Sequence, residues 1–127
     1  MISLSHLVQV MLGGALGAGS RYLVNATAMR LIGPGFPWAT LFVNVTGSFV
    51  MGLLVGVFAA RSLTHLHPFV LTGILGGFTT FSAFSLDAAT LWTRGEAGLT
   101  LVYVAASVAL SLLAIAVGLW LGRFVIP

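Results

Sequence analysis

The chain alternates between long apolar stretches and short polar breaks. Turn-forming and charged residues cluster at residues 33–37, 61–68 and 93–98. The apolar stretches that these breaks separate run over residues 6–32, 38–60, 69–92 and 99–124. Each is near or above the ~20 residues that a helix needs to cross ~30 Å of hydrocarbon. The pattern predicts an all-α membrane protein with four transmembrane helices in a single domain, residues 1–127.

The ends of the stretches carry residues that suit a helix start or a membrane interface. Pro37 and Pro68 lie where proline is favoured, in the first turn of a helix. Tryptophans stand near segment ends, as aromatic residues do at membrane interfaces, at positions Trp38, Trp92 and Trp120. The segments lack the alternation of a membrane β-barrel, so helices are the expected elements.

Composition supports the membrane assignment and excludes several functions. Hydrophobic residues make up 59% of the 127 residues and charged residues only 6%, against roughly 25% in soluble domains. The absence of cysteine rules out thiol nucleophiles, disulfides and thiolate metal sites. The basic residues are scattered arginines, so we expect no nucleic-acid partner. The three histidines lie at segment ends or in loops without an acidic cluster, and we expect no enzyme.

Arginines are almost evenly divided between the two faces of the membrane. Four crossings place Arg61 and Arg123 on one face and the Arg30 and Arg94 loops on the other, and Arg21 adds a small bias toward the second face. Two alternatives follow. The weak bias still gives one orientation, or the chain inserts both ways and pairs antiparallel.

Glycines recur at a spacing that favours close helix contact. Three pairs four residues apart lie in different spans: Gly13 and Gly17, Gly52 and Gly56, and Gly73 and Gly77. Small residues at this spacing let helix backbones approach each other in lipid. We therefore expect tightly packed helices.

Two spans carry polar stripes with a spacing of four residues. Such residues share one face of a helix. The stripes are Thr40, Asn44 and Ser48 in the second span, and Tyr103, Ser107 and Ser111 in the fourth. A lone Asn can act as an interhelical hydrogen bond, and hydroxyls can bond their own backbone. Two stripes in one small protein favour a lined path through the membrane.

The third span contains the sequence GGFTTFSAFS, from Gly76 to Ser85. Its glycine pair and the threonines Thr79 and Thr80 disfavour a continuous helix. We expect a break near mid-membrane, where freed backbone groups are tolerated only if they are buried in protein or face a cavity.

Phenylalanines follow the break at a spacing of three, at Phe78, Phe81 and Phe84. Aromatic stripes are usually core packing, but this one alternates with hydroxyl residues that lipid contact does not require. Ring edges carry partial positive charge. The stripe is therefore a second candidate lining for a path.

The spans contain almost no ionisable side chains. Arg21 and Asp87 are the only charges well inside them, and both lie toward segment ends. A proton-coupled pump needs an ionisable group at depth, and a cation path favours acidic rings. Amide and hydroxyl donors with ring edges suit a small, hard anion instead, which Arg21 would attract near an entrance.

Two other readings stay open on the residues alone. A small multidrug-type exporter that couples protons to a cation shares this size and charge balance, but Asp87 is the only candidate carboxylate in the first three spans. A non-transporting structural subunit would use the polar stripes as interhelical hydrogen bonds.

The order of these features is similar to that of the Fluc (CrcB) family of small fluoride channels, over essentially the whole chain. The motifs that carry the resemblance are GALGAGSRY, PWATLFVNVTGSFVMG, GGFTTFSAFS and the hydroxyl stripe of the fourth span. The third motif is the most specific. The resemblance implies passive fluoride efflux across the plasma membrane, fluoride resistance, and an antiparallel dual-topology homodimer with two narrow pores.

The resemblance also implies roles for individual residues. Phe81 and Phe84 match the phenylalanines that face permeating ions, Asn44 matches the pore asparagine, and Arg21 matches a vestibule arginine. The polar track corresponds to Tyr103, Ser107 and Ser111.

A structural sodium ion is implied at the dimer two-fold axis, held by the backbone carbonyls of Gly76 and Thr79. Phe78 is assigned to packing. Asp87 stands where an acidic residue near the pore mouth is common in the family.

Overall fold

The chain folds into four membrane-length helical spans, of which the third is interrupted. The computed structural model describes residues 1–125, and every regular element in that range is helical. The continuous spans are α1 (Leu4–Leu31), α2 (Trp38–Ala60) and α5 (Ala97–Gly122). All four spans are long and apolar enough to cross a membrane, which confirms the predicted fold class.

The third span consists of two halves. A short 3-10 turn (Thr64–Leu66) leads into a π-helical stretch (Pro68–Leu75) and a single α-turn, α3 (Gly76–Phe78). We call residues 68–78 the upstream half-helix. The downstream half is α4 (Phe81–Thr93).

Two extended residues separate the halves. Thr79 has φ −86° and ψ 156°, and Thr80 has φ −156° and ψ 122°. The predicted break is confirmed and lies one residue after the glycine pair, beyond Phe78. The π-helical geometry before it is a feature that the sequence did not indicate, and such geometry often accompanies functional sites.

Helix ends follow local chemistry. Ser3 caps α1, because its hydroxyl accepts a hydrogen bond from the His6 amide at 3.3 Å. The chain leaves α1 through Gly33, whose φ of +93° favours glycine, and Pro37 precedes α2. Arg94 donates to the Pro34 carbonyl at 3.4 Å, so the first and third loops lie on one face of the protein.

Glycines bring the helix backbones into direct contact. Gly13 and Gly17 of α1 lie against the upstream half-helix, where a Cβ on either residue would overlap a backbone carbonyl, that of Phe69 or of Ile74. Gly52 of α2 lies in the same way against Ile115 of α5. The glycine spacing in the sequence thus marks real helix contacts, and these contacts leave no room for side chains.

Apolar side chains outside these contacts face outward. A small buried cluster of Phe58, Leu71 and Leu75 joins α2 to the upstream half-helix. Many large apolar residues on α1 and α5 are exposed, as lipid-facing residues are in a membrane protein. Trp38, Trp92 and Trp120 are also exposed and lie near helix ends.

Adjacent glycines of α1 provide a test of this packing. Gly13→Ala should lower the free energy of unfolding by about 1–3 kcal/mol, because the added methyl group forces α1 away from the upstream half-helix. Gly14→Ala is the matched control, since its Cβ would meet no atom within 4 Å. Thermal unfolding of both variants in detergent measures the difference, and equal stabilities would contradict the proposed contact.

Candidate ion pathway

Polar and aromatic side chains from three elements line one groove of about 350 Å³. α2, the break with α4, and α5 contribute its walls. The groove contains five of the residues predicted from the sequence: Asn44, Phe81, Phe84, Ser107 and Ser111. Ser48, Thr79 and Thr80 add further polar groups. Two residues of each stripe and the phenylalanine pair therefore face one space, whereas Thr40 and Tyr103 lie outside its lining.

The hydroxyl of Ser107 is buried in the wall of this groove. Ser107 is 6% exposed, and its Oγ lies beside the Tyr103 hydroxyl but makes no hydrogen bond of good geometry within residues 1–125. Leaving a buried hydroxyl unpaired costs about 1–3 kcal/mol. A buried hydroxyl on a groove wall is therefore suited to donate a hydrogen bond to a ligand in the groove.

The aromatic wall is formed by Phe81 and Phe84. Their ring centroids are 5.4 Å apart with the planes inclined at 51°, so ring edges are available as partial positive charge. Phe81 is 78% exposed although it stands at the polar groove. The groove of a single chain is therefore open on the side of Phe81.

Phe78, the third residue of the stripe, points elsewhere. Its ring lies beside Gly47 of α2, 3.5 Å from the position of an added Cβ. It is absent from the lining of the groove. This location agrees with a packing role.

Asn44 is tied to the break by a pair of hydrogen bonds. Its Nδ2 donates to the Thr80 carbonyl at 3.0 Å, and the Thr80 amide donates to its Oδ1 at 2.7 Å. The carboxamide nitrogen carries two hydrogens, so one remains for a ligand in the groove. Asn44 thus holds the backbone beside the phenylalanine pair and also contributes to the groove wall.

These bonds change the pairing of backbone groups around the break. In a continuous helix, the Thr80 amide would donate to the Gly76 carbonyl four residues earlier, but here it donates to Asn44. In the same way the Ala83 amide donates to the Thr80 hydroxyl at 3.1 Å instead of to the Thr79 carbonyl. The break therefore leaves four carbonyls, those of residues 76–79, without their helical donors, and Arg21 donates to one of them, that of Gly77.

Tyr103 ends the polar line on α5. It is completely buried, and its hydroxyl donates to the Asp87 carboxylate at 2.9 Å. Thr40 and Ser107 flank this hydroxyl. A phenol can donate only one hydrogen bond, and here Asp87 accepts it. Sequence reasoning treated Tyr103 as a donor to an ion and missed this carboxylate partner.

Arg21 and Thr40 lie in a second cavity, of about 240 Å³, and not in the groove. Asp87 and Asn25 share this cavity, and Thr80 lines both spaces. The Arg21 Nε donates to the Gly77 carbonyl at 3.1 Å, which fixes the side chain against the end of the upstream half-helix. Asn25 was missed, although it lies one turn after Arg21 on the same face of α1.

A third space opens at the first and third loops. This mouth cavity, of about 200 Å³, also includes Asn25, Thr40 and Asp87, together with Phe36 and Arg94. The mouth and the Arg21 cavity therefore share walls, and Thr80 separates them from the groove. The three spaces thus adjoin one another in order, from the mouth cavity through the Arg21 cavity to the groove.

Comparisons with known proteins agree on one family. The family model described as CrcB-like protein, Camphor Resistance (CrcB), matches residues 8–119. The chain is 59% identical over 116 residues to a protein of Cereibacter sphaeroides named fluoride-specific ion channel FluC, which covers 91% of this chain and 93% of that protein. Proteins of the same name from Chelativorans sp. and Agrobacterium fabrum are 55% and 51% identical, over 95% and 93% of this chain and 98% and 96% of theirs.

The Asn44 hydrogen bonds generate a stability prediction. Asn44→Leu keeps a similar volume but leaves the Thr80 amide and carbonyl without partners, so the free energy of unfolding should fall by about 2 kcal/mol or more. Asn44→Asp should lose less, because it keeps the acceptor for the Thr80 amide. Thermal unfolding in detergent would contradict this role if the Leu variant were as stable as the parent protein.

Proposed function

This chain belongs to the CrcB-like protein family, and we propose that it is a fluoride-selective channel that lets fluoride leave the cell passively. The observation that carries the proposal is the unpaired, buried hydroxyl of Ser107, which faces the same groove as the Asn44 amide and the rings of Phe81 and Phe84. These groups offer protons and ring edges without a full charge. Such a lining suits a small anion that exchanges its hydration for short hydrogen bonds.

The residues that line the groove favour a fluoride channel over a proton-coupled cation exporter. No acidic side chain belongs to the described groove lining, and the Asp87 carboxylate is engaged with Tyr103 at one end. A coupled exporter needs an ionisable group that the cation and the proton share at depth. The relatives at 50–59% identity carry the name of a fluoride channel, and nothing supports the alternative.

The proposed working unit is an antiparallel homodimer embedded in lipid. The open side of the groove at Phe81 supports it, because a second copy would close the wall that one chain lacks. The nearly equal numbers of arginines at the two faces support insertion in both orientations. Two copies would then form two grooves, one for each chain.

A structural sodium ion at the two-fold axis of this dimer forms part of the proposal. Its ligands would be the carbonyls of Gly76 and Thr79 from each copy, which are among the four acceptors that the break leaves without helical donors. Sodium is a hard cation that oxygen ligands suit. Within the described residues, no group of three or more His, Cys, Asp or Glu side chains offers another metal site. The ion would supply positive charge between the half-helices.

Fluoride resistance follows from passive conduction in the plasma membrane. Hydrogen fluoride is neutral and crosses lipid, then dissociates in the less acidic cell interior. The anion is trapped there unless a selective path exists. A channel of this kind would need no energy source, because the gradient of the trapped anion drives its release.

The proposal predicts ion selectivity in a purified system. Liposomes that contain the protein and are loaded with fluoride should discharge it quickly down its gradient, while chloride-loaded liposomes should hold their content. An ion-selective electrode measures both. Equal leakage of the two anions, or no fluoride release from folded protein, would refute the channel.

Two substitutions address the groove itself. Ser107→Ala should slow fluoride discharge about tenfold or more, because it removes a hydrogen bond to a charged group worth about 1.5–3 kcal/mol. Phe81→Ile should also reduce discharge, since it removes the ring edge but keeps an apolar side chain. The matched control is Thr46→Val, whose hydroxyl bonds the Phe42 carbonyl in its own helix, outside the groove. A Ser107→Ala rate equal to that of the control would contradict the role of the hydroxyl.

A further inference from the structure

The loop that joins α1 to α2 is held at several points. Gly33 turns the chain with a positive φ, and Arg94 from the third loop donates to the Pro34 carbonyl. The Trp38 amide donates to the Phe36 carbonyl at 2.9 Å, and Pro37 fixes the backbone between these two residues. The position of the half-buried Phe36 side chain is therefore well defined by its own loop.

Phe36 packs directly on the end of the polar line. Its ring meets that of Tyr103 edge to face, with centroids 5.5 Å apart and planes at 88°, and it also packs on Trp38 at 4.7 Å. The other side of Tyr103 meets Phe84 at 5.3 Å. An aromatic row thus runs from the loop through Tyr103 to the phenylalanine pair of the groove.

Phe36 also borders the mouth cavity. It lines that cavity together with Thr40, Asp87 and Arg94. Tyr103, on the other side of the Phe36 ring, is completely buried. The Phe36 ring thus covers the ring of Tyr103 at the mouth cavity, next to Asp87 and Thr40, which neighbour the Tyr103 hydroxyl.

We propose that Phe36 is a specificity-determining residue, an aromatic seal that keeps mouth water away from the buried Tyr103 and Ser107 hydroxyls. This inference rests on the proposed fluoride channel. An anion that passes the seal has to exchange water for protein donors, which fluoride tolerates because it is small and accepts short hydrogen bonds. The larger chloride ion has neither the space nor the water that it needs there.

Loss of the Phe36 ring would provide both the space and the water that chloride needs. Truncation of Phe36 leaves a space beside the Tyr103 and Asp87 hydrogen bond. A space of this size with polar groups in its wall admits ordered water. Chloride could then pass while it keeps part of its hydration, so discrimination between the two anions should fall before fluoride conduction does.

The test uses the full chain in liposomes and measures chloride and fluoride discharge in parallel. Phe36→Ala should raise chloride discharge about tenfold, a change that corresponds to about 1.4 kcal/mol of barrier, with fluoride discharge retained. Phe36→Leu should still exclude chloride, because it keeps an apolar side chain over Tyr103. Phe42→Ala is the matched control, since Phe42 is 54% exposed on α2 and lines neither the mouth cavity nor the groove.

Each outcome decides the proposal. A Phe36→Ala protein that excludes chloride as well as the parent protein overturns it, and so does a Phe42→Ala control that leaks equally. If the Ala variant is not recovered folded, Phe36→Val replaces it, and chloride discharge that does not exceed that of Phe36→Leu overturns the proposal. Parent protein that fails to discharge fluoride would refute the proposed function, whereas a selective parent with an equally selective Phe36 series refutes this inference alone.

Discussion

The interrupted third span depends on the pair of hydrogen bonds between the Asn44 side chain and the Thr80 backbone. Hydrocarbon offers no water to satisfy a broken helix, so each freed amide and carbonyl needs a partner inside the protein. Asn44 supplies a donor and an acceptor from one side chain. It thereby keeps Thr79 and Thr80 extended, lets α4 begin at Phe81, and directs both phenylalanines toward α5. One residue in α2 determines the geometry of a different span.

The helices contact each other at glycine residues, and polar residues at other positions of the same helices line the groove. α5 shows this division along one helix: Gly118 lies against the backbone of α2 at Phe49, whereas Ser107 and Ser111 face the groove. Contact between backbones needs little side-chain volume. Short hydroxyl side chains on neighbouring helices can then reach the same narrow space.

Much of the fold could be predicted from the sequence because its signals are local. Span length, the Gly76 and Gly77 pair, and the four-residue spacing of the stripes each act within one helix. The missed features are contacts between side chains or backbone groups of different helices, such as Tyr103 with Asp87 and Arg21 with Gly77. Spacing places a residue on a face but does not give the rotation of one helix against another. Thr40 was predicted on this basis in the same stripe as Asn44, and it faces the mouth and the Arg21 cavity instead.

Among residues 1–125, the groove lining consists of Asn, Ser, Thr, Phe, Val and Leu side chains. None of these gains or loses a proton between the acidity of a fermenting culture and that of an alkaline soil. The groove wall therefore has the same charge under both conditions. A change in external acidity therefore leaves the charge of the groove wall unaltered.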